Sequence, residues 1–207
     1  DDLLIKIKKI IKKKKYGNIL SVNIHNRHYL PFHHRYEDYK IGYAAQKKLG
    51  GGVLLCFIHE IDYANYLFEK PLKVFGKSDK KSNLIIDVED TAKFTVIYDI
   101  NKKEIPVNFH LDFIKKKPSR FCKIKFEKTN LYWDLNQKKI ILDNHGKKIM
   151  KSKFKQKDDL FLNQLKQVMN SFNKNVQPIS NFNNGEQSLR LISKLKESIN
   201  KKKIISL

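Results

Sequence analysis

Between Leu72 and Ile149 the chain runs through short segments rich in branched and aromatic residues, one after another, with turn residues between them. Leu72 to Lys77, Thr91 to Ile100, Glu104 to Phe113, Phe121 to Glu127 and Asn130 to Leu135 read as strands, because such side chains suit a pleated, half-buried surface. Asn101-Lys102-Lys103 and Lys128-Thr129 read as hairpin connections. Asp143-Asn144-His145-Gly146 is a further turn before a short strand ending near Met150. Consecutive hairpins make antiparallel neighbours, and a sheet of that kind needs helices over at least one face. The expected fold is therefore α+β: a large open, mostly antiparallel sheet with helices packed on one face.

The covering helices can be read from their periodicity. Leu3 to Lys15 places Leu3, Leu4, Ile7, Ile10 and Ile11 at helical spacing, and Gly17 ends the helix. Ile19 to His28 alternates as a strand for part of its length. An aromatic and histidine-bearing loop from Tyr29 to Lys48 leads into a glycine-started helix to about Phe68. Later, Asp158 caps a helix whose apolar face is Leu160, Phe161, Leu165, Val168, Met169 and Phe172. Gly185 opens a last helix with Leu189, Ile192, Leu195 and Ile199 inward, before the apolar end Ile204-Ile205. At 207 residues this is read as one domain, 1–207.

One segment carries candidate chemistry: Leu49-Gly50-Gly51-Gly52-Val53-Leu54-Leu55-Cys56-Phe57-Ile58-His59-Glu60-Ile61-Asp62-Tyr63. On a continuous helix Cys56, His59 and Asp62 share a face, which makes His59 a candidate general acid or base. Glycines at the helix start let backbone or a ligand approach closely. A lone histidine on an apolar helix is, as a rule, a satisfied core residue, so the spacing alone leaves both readings open.

The same segment resembles the LGGGxLLDxxHExDY pattern of the Gfo/Idh/MocA oxidoreductases, in their C-terminal domain. Tyr16-Gly17-Asn18-Ile19-Leu20-Ser21 is similar to the family's strand entry. Tyr29-Leu30-Pro31, Tyr36-Glu37-Asp38-Tyr39-Lys40 and Tyr43-Ala44-Ala45 resemble a loop of one branch. His110-Leu111-Asp112-Phe113 with Arg120, and Gly185-Glu186-Gln187-Ser188-Leu189 with Ser198, match in order further on. The resemblance implies a substrate-binding and oligomerisation domain of an NAD(P)-dependent sugar or sugar-derivative oxidoreductase. His59 is then the base and Asp62 an acid that orients it, with Tyr43 and Lys40 as substrate-binding candidates. An aspartate usually stands in the family where this chain has Cys56, and a thiol lacks that fixed charge.

The dinucleotide fingerprint Gly-x-Gly-x-x-Gly is not formed by any of the eight glycines. The expectation is that the chain contains no Rossmann domain and binds no cofactor alone, taking NAD or NADP only when that domain is supplied. The chain begins at Asp1 without a methionine, which fits the expectation of a fragment or a processed chain. A separate or missing Rossmann domain is one expected partner. A second copy on the open sheet face is the other, supported by apolar residues on both faces of Phe94 to Tyr98 and Phe109 to Phe113. The alternative is a stand-alone, non-catalytic assembly or binding module derived from such an enzyme.

Charge enters here because the chain carries a formal +22. Of its 43 positive residues only four are arginine, the side chain whose fork reads phosphates and bases. With 24 isoleucines and 18 asparagines beside them, the lysines read as compositional drift over a solvated surface. Nucleic acid is expected to bind only nonspecifically, at low salt. No apolar run spans a bilayer, and two cysteines without metal spacing fit a reducing cytoplasm. His25, His28, His33 and His34 lie close in sequence, but the odd separation of His25 and His28 on a strand puts them on opposite faces, so no metal site is expected. Cys56 with His59 as nucleophile and base lacks an oxyanion motif. Tyr36, Tyr39 and Tyr43 with Lys40 either stack on a ligand or anchor the loop.

Overall fold

The computed structural model describes residues 1–33, 36–143, 147–153, 158–174, 176, 178 and 181–207. Its frame is a sheet of nine strands: β1 (Ile19–Tyr29), β2 (Lys70–Asp79), β3 (Thr91–Ile100), β4 (Lys103–Asp112), β5 (Ile114–Phe126), β6 (Asn130–Asp134), β7 (Lys139–Asp143), β8 (Lys147–Lys151) and β9 (Ile205–Ser206). The spatial order is β8-β7-β6-β5-β1-β4-β3-β2-β9. Every pairing is antiparallel except β1 with β4. The expected α+β architecture is therefore present. β7 had no counterpart in the sequence reading, and β5 begins well before Phe121.

Register separates two faces. One row across the sheet reads Gly76, Phe94, Phe109, Ile24, Cys122, Trp133, Ile140 and Met150, and it faces the helices. The neighbouring row reads Phe75, Thr95, Asn108, Asn23, Lys123, Tyr132, Ile141 and Ile149, on the opposite, open face. Alternation of period two produces this directly. Gly76 is needed on the inner row because a Cβ there meets Phe94 and Leu195. At Phe94–Tyr98 and Phe109–Phe113 the outward residues include Thr95, His110 and Asp112, with Ile97 apolar, so this part of the open face is more polar than the sequence suggested.

Five helices among the described residues flank the sheet: α1 (Asp2–Lys12), α2 (Val53–Cys56), α3 (Ile58–Phe68), α4 (Asp158–Lys174) and α5 (Phe182–Lys201). α1 stops three residues earlier than expected, and Gly17 takes φ +80° in the turn that follows. α3 lies on the sheet through Ile61, Ala64, Leu67 and Phe68, with Phe68 edge-on to Tyr98. Lys8 of α1 donates to the carbonyls of Tyr66 and Leu67 and pairs with Glu69, satisfying the end of α3 with a cation. α5 starts at a capping box between Asn181 and Asn184, not at Gly185. It buries Leu191, Ile192 and Leu195, whereas Leu189 is exposed.

α4 differs most from expectation. Its helical spacing is as read, yet Phe161, Leu165, Val168, Met169 and Phe172 are all exposed, Phe172 by 80%. The half-buried residues of this helix include Leu160, Asn163 and Gln167. The expected cap of Asp158 and the turn at Asn144-His145-Gly146 fall outside the described side chains and residues. No helix among the described residues is long and apolar enough to cross a membrane.

On the open face His110 stands beside His25, ring centroids 5.4 Å apart, and its Nε2 lies 3.3 Å from Asp112. Asp112 is fully buried and also pairs with Arg27. Burial, then Arg27, push the His110 imidazole down to about 4 against the pull of Asp112. Burial, then Arg27 and Lys115, lower His25 as well. Both rings are thus neutral in the folded sheet near neutral pH. On acidification the unfolded chain takes up these protons first, near its ordinary 6.5. Stability is expected to be level above about 6.5 and to fall as pH drops from 6.5 toward 4. Urea midpoints measured across this range should show a shallower fall in His110→Asn.

Candidate functional site

The glycine run forms a tight corner. Gly52 has φ +98°, and a Cβ on it would collide with the Glu89 carboxylate; a Cβ on Gly51 would meet the carbonyl oxygens of Tyr43, Ala44 and Gln46. The Leu54 N–H donates to Oε1 of Glu89 at 3.1 Å, and the Val53 N–H to the Glu89 carbonyl. The close approach expected at this helix start is therefore made by the protein's own carboxylate. The Gly51 and Gly52 amides go to the carbonyls of Gln46 and Ala44. A dinucleotide phosphate finds no free cradle at this turn, because these amides are already taken by the protein's own oxygens.

The helix does not run on from the corner. At Phe57, φ −106° and ψ 27° separate α2 from α3, so Cys56 and His59 do not share one unbroken helical face. They meet in space nevertheless. Both line a cleft of about 290 Å³ together with Tyr43, Asn26, His28 and Arg120. His59 also borders a second hollow of about 300 Å³, with Asp62, Tyr63, Arg120, Trp133 and Leu160. His59 is exposed, so it is not the satisfied core histidine that its apolar surroundings permitted.

Its expected acid partners are otherwise engaged. Asp62 lies 3.3 Å from the Ser188 hydroxyl of α5, whose one proton is shared with the nearer Asn184 carbonyl at 3.1 Å, and no hydrogen bond joins Asp62 to His59 among the described residues. Ser188 in turn accepts from Asn65, whose carbonyl oxygen accepts from the fully buried Tyr98 hydroxyl at 2.7 Å. Asp62 belongs to this chain linking α5, α3 and β3. Burial, then Glu89, push the Cys56 thiol up to about 11, against a hydrogen bond with Tyr43 that lowers it. Cys56 is accordingly a neutral thiol near neutral pH, and a poor nucleophile.

Tyr43 reaches the cleft, but Lys40 does not line it; its Nζ sits 3.5 Å from Asp38 on the loop surface. Tyr39 anchors the loop by accepting from the Ile85 N–H, while Tyr36 is exposed. His25 and His28 lie on opposite faces of β1, as their spacing required: His25 stacks on Phe121 and His28 packs edge-on against Phe57. His34 lies outside the described residues.

Sequence reasoning missed Glu60 as a site residue. Completely buried, it accepts from Nε of Arg120 at 2.6 Å, across 60 positions of sequence. The scarcity of arginine was the available signal.

Among curated proteins no sequence matches this chain. The GFO/IDH/MocA C-terminal domain profile matches residues 4–119, more than half of the chain. The chain belongs to that family. Solved structures with the same fold include the aldose-aldose oxidoreductase of Caulobacter crescentus complexed with glycerol, at TM-score 0.82 and 17% identity over 99% of this chain and 60% of that one. A levoglucosan dehydrogenase in complex with NADH and levoglucosan gives 0.80 and 15%, over 97% and 61%. The WlbA dehydrogenase of Bordetella pertussis, with NADH and UDP-GlcNAcA, gives 0.75 and 17%, over 100% and 61%. This family member thus spans about three fifths of the length of these solved relatives.

Gly52→Ala places a side chain at positive φ against Glu89, which should cost about 1–3 kcal/mol of stability. Urea denaturation of the two proteins measures the difference.

Proposed function

We propose that the chain is the substrate-binding and oligomerisation half of an NAD(P)-dependent oxidoreductase acting on a sugar or sugar derivative, with His59 as its base. The observation that carries this is the exposure of His59 where two hollows meet, on a helix whose adjacent residues Glu60 and Ile61 are buried. A ring nitrogen held there on a rigid element can take the proton of a bound hydroxyl. Tyr43 borders the same cleft and offers an aromatic edge and a hydroxyl to a sugar. The polyol and sugar ligands of the solved relatives support the substrate class. The hydride acceptor is the nicotinamide of a dinucleotide-binding half, whether in the same chain or in a partner. Two free cysteines suit a reducing cytoplasm as the place of work.

A second reading is favoured by one specific feature. With Cys56 neutral and Asp62 facing Ser188, no carboxylate among the described residues is hydrogen-bonded to His59, as suits a non-catalytic assembly or binding module. Joining the chain to a dinucleotide-binding half and following reduction of NAD(P) with sugars separates the two. His59→Asn should lower kcat by roughly 10²–10⁴-fold with little change in KM, and Cys56→Asp should raise it. A wild-type rate that His59→Asn leaves untouched would refute the base assignment.

The open sheet face is the proposed seat of a second copy. Phe75 and Ile149, at opposite ends of its outward row, are 49% and 55% exposed. Light scattering should give at least twice the 24.5 kDa of one chain. Phe75→Lys should return the protein to a single copy.

A further inference from the structure

We infer that Arg120 and Asn26 anchor an anionic group, a carboxylate or a phosphate, on the substrate that His59 addresses. The inference rests on the reading of His59 as the base and adds the chemical class of what it acts on. Arg120 lies on β5 directly opposite Asn26 of β1, on the helix-covered face, and both border the cleft that His59 lines. The guanidinium gives its Nε to Glu60, while its two terminal nitrogens meet no protein acceptor among the described residues. The side chain is 35% exposed, so those donors are open to a ligand. Asn26 is only 8% exposed, and its amide has no hydrogen-bond partner among the described residues. Unlike the fully enclosed and unpartnered Oε2 of Glu60, this amide keeps contact with the cleft, where a ligand oxygen can accept from it.

Arginine rather than lysine matters in this chain. Of 43 positive residues four are arginine, and two of them, Arg27 and Arg120, border the cleft of the candidate base; Arg27 is already paired with Asp112. As a point charge, lysine can pair with Glu60 equally well; only the planar fork can hold Glu60 through Nε and present two parallel donors to an anion. No carboxylate borders the cleft among the described residues to repel such a group. Glu60, buried behind Arg120 and outside that lining, gives one carboxylate oxygen to the guanidinium. The second hollow does contain Asp1 and Asp62, which places the anion in the first.

Trp133 supplies the readout, being the single tryptophan and bordering the second hollow together with Arg120 and His59. Its fluorescence is followed while the chain, at roughly 0.15 M salt, is titrated into the millimolar range with D-glucuronate, D-glucose 6-phosphate and D-glucose. One or both charged sugars should bind at least about tenfold more tightly than glucose. Whichever charged sugar wins identifies carboxylate or phosphate. Arg120→Lys, which keeps a cation against Glu60, should abolish the preference. Arg190→Gln, which removes an exposed arginine of α5, should leave it intact. Should Arg120→Lys fail to fold, Glu60→Gln with Arg120→Gln leaves no lone buried charge and serves in its place. Equal affinity for glucose, or an equal loss in Arg190→Gln, overturns the inference while leaving His59 to its kinetic test. Absence of binding by all three sugars also overturns it.

Discussion

The seating of α3 on the sheet governs most of what this protein presents to its surroundings. Ile61, Leu67 and Phe68 are each almost wholly buried, and such side chains contribute about 1.5–3 kcal/mol apiece when removed from water. Apolar contact alone leaves the helix free to slide or rotate; polar contacts remove that freedom. Asn65 accepts from Tyr98 of β3, Glu60 pairs with Arg120 of β5, and Lys8 of α1 closes the last carbonyls. With residues 60, 61, 63, 64, 65, 67 and 68 turned inward, the remaining direction at position 59 is outward. The exposure of the candidate base is thus a consequence of what its neighbours bury.

A second constraint acts at the entry to this helix. The amides at the start of α2 attract negative charge, and here Glu89 supplies it from a loop 35 residues away. That choice has a chemical consequence. The same carboxylate adds to the desolvation of Cys56 and keeps its thiol protonated, so the position closest to the corner is neutral. Stability of the corner and charge beside His59 are therefore coupled: the carboxylate that closes the turn opposes a second anion one helical turn away.

The two sheet faces divide the remaining labour. The inner row from Gly76 to Met150 is apolar and closes the core, whereas the outer row carries asparagines, a threonine and a lysine between apolar ends. Asn108 reaches both Thr95 and Asn23, so the outward side chains are cross-linked into an ordered surface instead of a greasy one. α4 presents an uncovered apolar stripe beside the hollow that Leu160 shares with His59. None of the described residues covers that stripe.

Alternation and turn chemistry are local properties, so the strands, their hairpins and the periodicity of α1, α4 and α5 were legible in the residues themselves. So was the special character of Gly51 and Gly52, since three glycines in a row seldom serve anything but an unusual backbone. The break at Phe57, the cap by Glu89 and the pairing of Glu60 with Arg120 were not. Each depends on a partner 35 to 60 positions away or on how two helices fit one curved surface. Periodicity also shows which residues of α4 form a stripe without showing what lies opposite it. Sequence alone determined which neighbouring segments form hairpins and which faces are apolar, because those follow from adjacent side chains, whereas the seating of β1 between β4 and β5 joins residues 85 or more positions apart. Tertiary structure decided which polar groups find partners and which, like Asn26 and the ends of Arg120, face the cleft unmatched, because hydrogen bonds act only over the few ångströms that the fold brings together.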